Sequence, residues 1–274
     1  MNRIKKCLSM IIAVLLMLCS LLSLPHFAGA AITTANFFYF NPDSTHSNLF
    51  SLKQMMDTVL AKSGITFTFQ PFTRFLDFDR QVKEQHPALL FLPEWYLKQD
   101  GNDKKFKPFL IPVCRGVTTY RKVLLVASDS VLTTEKLGNA TIAMTPVGQA
   151  GMTQLNEAIF KANGLDANRL KFITTVKDAD ALFALALGQV QAALISQNTL
   201  DRVGKLNPQI LQNVKSLAVS GPLPMPMLCY ADGAIEVAEL KKIRNILLMG
   251  KQDKSVAQIM EILDIDAWHD HITQ

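Results

Sequence analysis

A chain of 274 residues, 49% hydrophobic and 19% charged, is long enough for one large domain or two smaller ones and has an ordinary globular composition. That balance excludes a disordered or low-complexity chain. No Lys/Arg cluster stands out with interleaved aromatics, so the net charge of +5 gives no reason to expect a nucleic-acid partner.

The chain opens with Arg3, Lys5 and Lys6, then the apolar run IIAVLLMLCSLLSL, then Ala28-Gly29-Ala30. A basic start, a short apolar core and small residues at the end predict a secretory signal peptide over 1–30, cut before Ala31. The apolar run falls short of the ~20 residues a spanning helix needs. Removing it leaves 25 basic against 23 acidic residues, a net charge of +2, and two cysteines, Cys114 and Cys229.

FFYF (37–40) reads as a strand stopped by Asn41-Pro42. Ser47 to Lys62 carries Leu52, Met55, Met56, Val59 and Leu60 on one helical stripe. ITFTFQPF (65–72) alternates like a strand, and Thr73 is placed to cap a helix running to about Gln85. ALLFL (88–92) is a continuous apolar strand, and FLIPV and YRKVLLVAS follow as β-like runs. The pattern restarts with ATIAM (140–144), a helix over Gly151–Ala162, the strand LKFITTV and the helix ADALFALALG, which Asp178 could cap. VQAALIS and SLAVS are further strands. Glu236–Met249 and Ser255–Leu263 are helical, and the terminal WHDH reads as a frayed end.

Strand–helix alternation with short joins predicts an α/β fold of mostly parallel sheets flanked by helices. The break near Tyr120–Leu125 and the proline-rich GPLPMP at 221–226 predict two crossings between lobes. One lobe would comprise 31–121 plus 225–274, and the other 122–224. Ligands of open α/β sheets bind at the carboxyl ends of strands, which here would face a cleft. Those ends nominate Tyr39, Asn41, Thr73, Arg74, Glu94 and Tyr96 in the first lobe. In the second they nominate Thr145, the turn Gly148-Gln149-Ala150, Ser196 and Gln197. Arg74 is either a fork for an oxyanion or a solvated helix start. Trp95 and Tyr96 either stack on a ligand or pack against their own lobe. Glu94 either meets an amine or is an exposed loop acid.

No GxSxG, HExxH or convergent Ser/His/Asp set is present, so the expectation is a binder that is not an enzyme. No CxxC spacing exists and the histidines are scattered, so no metal or other cofactor is expected.

The stretches YRKVLLVASDSVLTTEKLGNATIAM and KANGLDANRLKFITTVKDADALFALALGQVQAALIS, with the ending IRNILLMG…ILDIDAWHD, resemble periplasmic binding proteins of phosphate/phosphite/phosphonate ABC transporters, within the class II binding-protein fold. The resemblance runs along almost all of the chain after residue 30. It implies a periplasmic protein, expected to be a monomer, that captures a small polar or anionic ligand between two hinged lobes and hands it to an ABC permease. The alternatives are a sensor reporting to a membrane signalling receptor, or an enzyme on the same fold.

It also implies a phosphonate-gripping Ser-Thr-Ser-Gly-like turn, which here is Gly148, Gln149, Ala150 and Gly151, with backbone donors but without hydroxyls. The family's histidine at the next helix start is Asp178, which either caps that helix or faces the cleft. The family's acid in V-D-A-A is Gln191. In such a fold the return strand near MLCYA lies beside FLIPVCRG, so a Cys114–Cys229 disulfide is expected at the hinge.

Overall fold

The computed structural model describes residues 35–44, 48–62, 64 and 66–271. The signal peptide expected at 1–30 lies outside the described residues.

The strand Ala35–Phe40 (β1) has Phe37 and Tyr39 on one face and Phe38 and Phe40 on the other. Both faces are buried, as the unbroken aromatic run requires. Phe67–Phe72 (β2) and Leu89–Leu92 (β3) flank β1 in parallel. Phe106–Val113 (β4) belongs to the same sheet, and the chain leaves it after Val113. Thr119–Tyr120 (β5) leads to Lys122–Ala127 (β6), which opens a second sheet with Thr141–Met144 (β7), Lys171–Thr174 (β8), Ala192–Ser196 (β9) and Val214–Val219 (β10). Leu223–Pro224 (β11) leads back to Met227–Ala231 (β12) and finally Ala267–Asp270 (β13). The six-stranded sheet has the order β13-β4-β12-β3-β1-β2, and the five-stranded sheet the order β10-β6-β9-β7-β8.

Both sheets are mixed, where the sequence pattern predicts mostly parallel ones. The reason is the double crossing. β4 carries the chain out and β12 carries it back, so they lie antiparallel with Leu228 opposite Leu110. In the second sheet β6 enters and β10 leaves, again antiparallel. The connectors themselves pair as β5 and β11, with Leu223 opposite Tyr120.

Helices Leu49–Ala61, Val237–Leu248 and Lys254–Leu263 bury Leu52, Met56, Ile243, Leu247, Ile259 and Met260 on one face of the larger sheet. Phe75–Gln85 covers the other with Phe75, Phe78 and Val82. On the smaller sheet, Gln149–Leu155 continues through Asn156–Phe160 and buries Leu155, Ile159 and Phe160. Asp178–Ala186 buries Ala181, Leu182 and Leu185 opposite them.

Several local expectations change. Arg74, and not Thr73, is the N-cap residue of Phe75–Gln85, with no side-chain cap bond. The WHDH stretch is not frayed: Trp268 and His269 sit in β13, paired with Pro112 and Ile111 of β4, and Asp270 holds Arg244.

Cys114 and Cys229 are free, buried thiols, so the disulfide expectation is corrected. Cys229 lies opposite Pro108, six residues short of Cys114, or ~20 Å along a strand, whereas a disulfide needs Cα atoms within ~7 Å. The two also face different sides of the sheet. Burial pushes the Cys114 thiol up to about 12.

Candidate functional site

β6 is the apolar run KVLLVA with a lysine at its head, and Lys122 is only 3% exposed. Its backbone is fixed by the hinge segment: the Lys122 N–H donates to Ser220 Oγ (2.9 Å), and the Ser220 N–H donates to the Lys122 carbonyl (2.8 Å). The side chain reaches the strand ends of its own sheet. Lys122 Nζ lies 3.2 and 3.3 Å from the two oxygens of Asp178. It also donates to Asp43, which sits in the turn after β1 of the six-stranded sheet. A single ammonium therefore joins carboxylates delivered by both sheets.

The surroundings complete the cluster. The Ser196 N–H, at the end of β9, donates to Asp178 Oδ2 (2.6 Å). The Thr145 hydroxyl, just past β7, is 3.4 Å from Oδ1 of both Asp43 and Asp178. Tyr120 lies close enough to Asp43 for that carboxylate, after burial itself, to push its phenol upward. Thr145, Asp178 and Ser196 are buried. A cavity of about 60 Å³ adjoins the cluster, bounded in part by Asn41, Asp43, Ser44, Tyr120, Ser196 and Asn198.

Two carboxylates and one ammonium leave this buried group with a formal charge of −1. Burial alone would strip the proton from Lys122, but Asp178 and Asp43 outweigh it and hold the lysine above its ordinary value. Burial pushes Asp178 up. Lys122 and the Ser196 N–H pull it down, Asp43 pushes it up again, and the net direction is upward.

Asp178 does not cap its helix. The Lys177 N–H donates to Asp180 Oδ2 (3.1 Å), because the third helical position reaches back to the cap and the first does not. Asp178 is thereby left free to turn into the cleft.

The other expected residues scatter. Tyr39 packs in the core of its own sheet, stacked on Phe91, and burial pushes its phenol up to about 12. Asn41 braces the turn by accepting from the Asp43 N–H. Tyr96 points away from the cleft, between Phe75 and Phe78, and donates to Asp79 (2.9 Å). Thr73 and Arg74 are exposed and line a mouth groove with Thr174, Thr175 and Val176 of the other sheet. Glu94 accepts from Gln154 across the cleft (2.8 Å) and pairs with Lys98. Gln197 donates to Asp201 beside the hinge.

The glycine turn is covered. A methyl on Gly148 would overlap Gln99 Oε1, and one on Gly151 would lie 2.9 Å from Trp95. Trp95 and Gln99 come from the opposite sheet and lie against the turn, so these glycines serve close approach of a side chain. Gln149 and Ala150 border an open groove with Lys98, Gln99 and Asp100.

Asp43, Lys122 and Tyr120 were not among the sequence candidates. The one signal was a charged residue at the head of an otherwise apolar strand, which cannot face a core unpaired.

Two mixed sheets meeting at their strand ends, joined by two antiparallel connectors, form a two-lobed α/β fold. A family model described as "ABC transporter, phosphonate, periplasmic substrate-binding protein" matches residues 38–271. The chain belongs to this family. As a substrate-binding protein of an ABC transporter it is periplasmic, binds a small molecule and works with a permease.

Solved structures share the fold. A binding-protein component of an ABC phosphonate transporter from Pseudomonas aeruginosa superposes with a TM-score of 0.71 at 14% identity, covering 86% of this chain and 81% of that one. A Prochlorococcus marinus protein in complex with methylphosphonate gives 0.70 at 11% identity, with 87% and 93% covered. A Xanthomonas citri protein bound to ATP gives 0.65 at 13% identity, with 86% and 90% covered. No curated protein matches this substrate-binding protein.

Proposed function

We propose that the mature protein, released by cleavage before Ala31, captures a small polar solute carrying an anionic group on a seat formed by Lys122, Thr145 and Tyr120. Residues 31–121 with 225–274 and residues 122–224 act as the two bodies that close over it, with β5 and β11 as the hinge. The protein acts as a monomer, delivers its ligand to the permease and performs no turnover.

The observation that carries this reading is that Lys122 bonds Asp43 of one sheet and Asp178 of the other at once. It gathers the one buried cation among the described residues, with its hydroxyl neighbours, where strand ends of both sheets meet. That is where open α/β sheets take ligands and where hinge closure would exclude water.

The test is a thermal-shift screen of residues 31–274 against methylphosphonate, phosphite, phosphate, carboxylates and amino acids. A ligand at 100 times its dissociation constant adds about 2.7 kcal/mol of stability. The expected result is a hit among the oxyanions that is lost in Lys122→Gln and weakened in the isosteric Thr145→Val. A hit that both variants retain undiminished places the seat elsewhere.

A further inference from the structure

We propose that Asp43 is a built-in occupant of the oxyanion seat, and that the solute enters by replacing its carboxylate with a singly charged anionic group. This rests on the reading of Lys122, Thr145 and Tyr120 as the seat.

The donors that meet Asp43 are those an oxyanion would want. Lys122 Nζ donates to it, the Thr145 hydroxyl is 3.4 Å away, and the Tyr120 phenol lies near it, on the same cavity wall. Lys122 and Thr145 belong to the five-stranded sheet or its strand ends, and Tyr120 to the connector leading into it. Asp43 alone comes from the other sheet. Its turn is short and braced by Asn41, but its side chain is 12% exposed, whereas that of Asp178 is 1% exposed. Asp178 is also held by the Ser196 N–H and belongs to the same lobe as Lys122. When the sheets part, the Lys122–Asp178 pair stays together and Asp43 leaves. The carboxylate that separates on opening is therefore the one whose place a ligand can take, and the adjoining cavity of about 60 Å³ gives the incoming group room.

Charge sets the ligand class. With Asp43 seated, the buried group carries −1. Exchanging it for a monoanion leaves that charge unchanged. Exchanging it for a dianion adds a negative charge beside Asp178 that no second cation in the cluster offsets among the described residues. The seat thus favours a carboxylate, a sulfonate or a singly ionised phosphonate over a doubly ionised one. An internal occupant also lowers apparent affinity by the fraction of time the seat is filled, so a seat vacant one-tenth of the time costs about tenfold.

The experiment is calorimetric titration of residues 31–274 at pH 8.5 with two probes of the same shape, methanesulfonate and methylphosphonate. The first carries one negative charge and the second mostly two. The wild type is expected to bind methanesulfonate more tightly. Asp43→Asn keeps the side-chain volume and is expected to bind both probes about tenfold or more tighter. Small-angle scattering of ligand-free Asp43→Asn should show a larger radius of gyration than the wild type, reporting the lost internal closure.

Unchanged or weaker affinity for both probes in Asp43→Asn overturns the proposal. So does binding of methylammonium by the wild type that Asp43→Asn abolishes, since Asp43 would then be a direct ligand contact. The seat reading is tested separately by Lys122→Gln. If that variant keeps methanesulfonate affinity, the seat itself is misplaced. If it loses affinity while Asp43→Asn gains none, the seat stands and only self-occupancy fails.

Discussion

Lys122 holds two carboxylates that would otherwise be buried without a counter-ion. Removing one partner of such a group costs about 3–5 kcal/mol, much more than an exposed pair is worth. Lys122→Met should therefore lower stability by roughly that amount at pH 7. The pH dependence has a definite sign. Burial already raises Asp178 above the usual carboxylate value, and Lys122 opposes that rise. Without the lysine, Asp178 rises further, so the folded variant binds a proton that the unfolded chain does not. Its stability then increases as pH falls through the raised folded value toward the unfolded one near 3.9. Urea midpoints at pH 7 and pH 5 check this: the gap from wild type should narrow at pH 5, and a constant or widening gap contradicts it. Thr145, Asp178 and Ser196 were legible as site candidates because each ends a strand or opens the next helix. Asp43 and Lys122 were not. The meaning of each depends on a partner 79 positions away in the chain, and no local pattern encodes that contact.

At the scale of elements, the join between Gln149–Leu155 and the opposite sheet is a close fit without slack. Gly148 and Gly151 let Trp95 and Gln99 lie against the turn. Gly148→Ala forces a methyl into Gln99 Oε1, the movable end of a flexible side chain, and should cost no more than about 1 kcal/mol, the low end of the overpacking range. Gln99→Ala in the same background should return part of that loss, because the two positions are in contact and their effects do not add. Chemical denaturation of the two single variants and the double variant reads the coupling. Strict additivity would mean that the turn and Gln99 do not touch.

The long apolar strands at 37–40, 88–92 and 190–196 were plain in the sequence, since only a strand buried on both faces tolerates such runs. β13 was missed because AWHD is short, half polar and an edge strand, whose pairing comes from β4 and not from its own pattern. The helix opens at Asp178, after Lys177 as its cap residue, and the carboxylate that accepts from the Lys177 N–H is that of Asp180, where the sequence left Asp178 as either a cap or a cleft residue. Asp178 and Asp180 both open the helix, and only geometry separates them.

For the whole molecule, the alternation of strands and helices and the two proline- or hinge-like breaks were enough to anticipate two lobes. The sheets are mixed because the chain that leaves the first lobe must come back, and that follows from connectivity more than from composition. Ligand class was less legible than fold. The phosphonate-type turn survives only as glycines covered by Trp95 and Gln99. The buried polar chemistry lies instead at Lys122, where the charge is balanced by residues far apart in sequence.

The central claim is that a solute's anionic group sits on Lys122 between the strand ends of the two sheets. A crystal structure of residues 31–274 grown with methylphosphonate tests it directly. The account predicts phosphonate oxygens within hydrogen-bond distance of Lys122 Nζ and the Thr145 hydroxyl, with the Asp43 carboxylate displaced. Phosphonate density in the groove beside Gln149 and Ala150, with Asp43 still seated on Lys122, would contradict it.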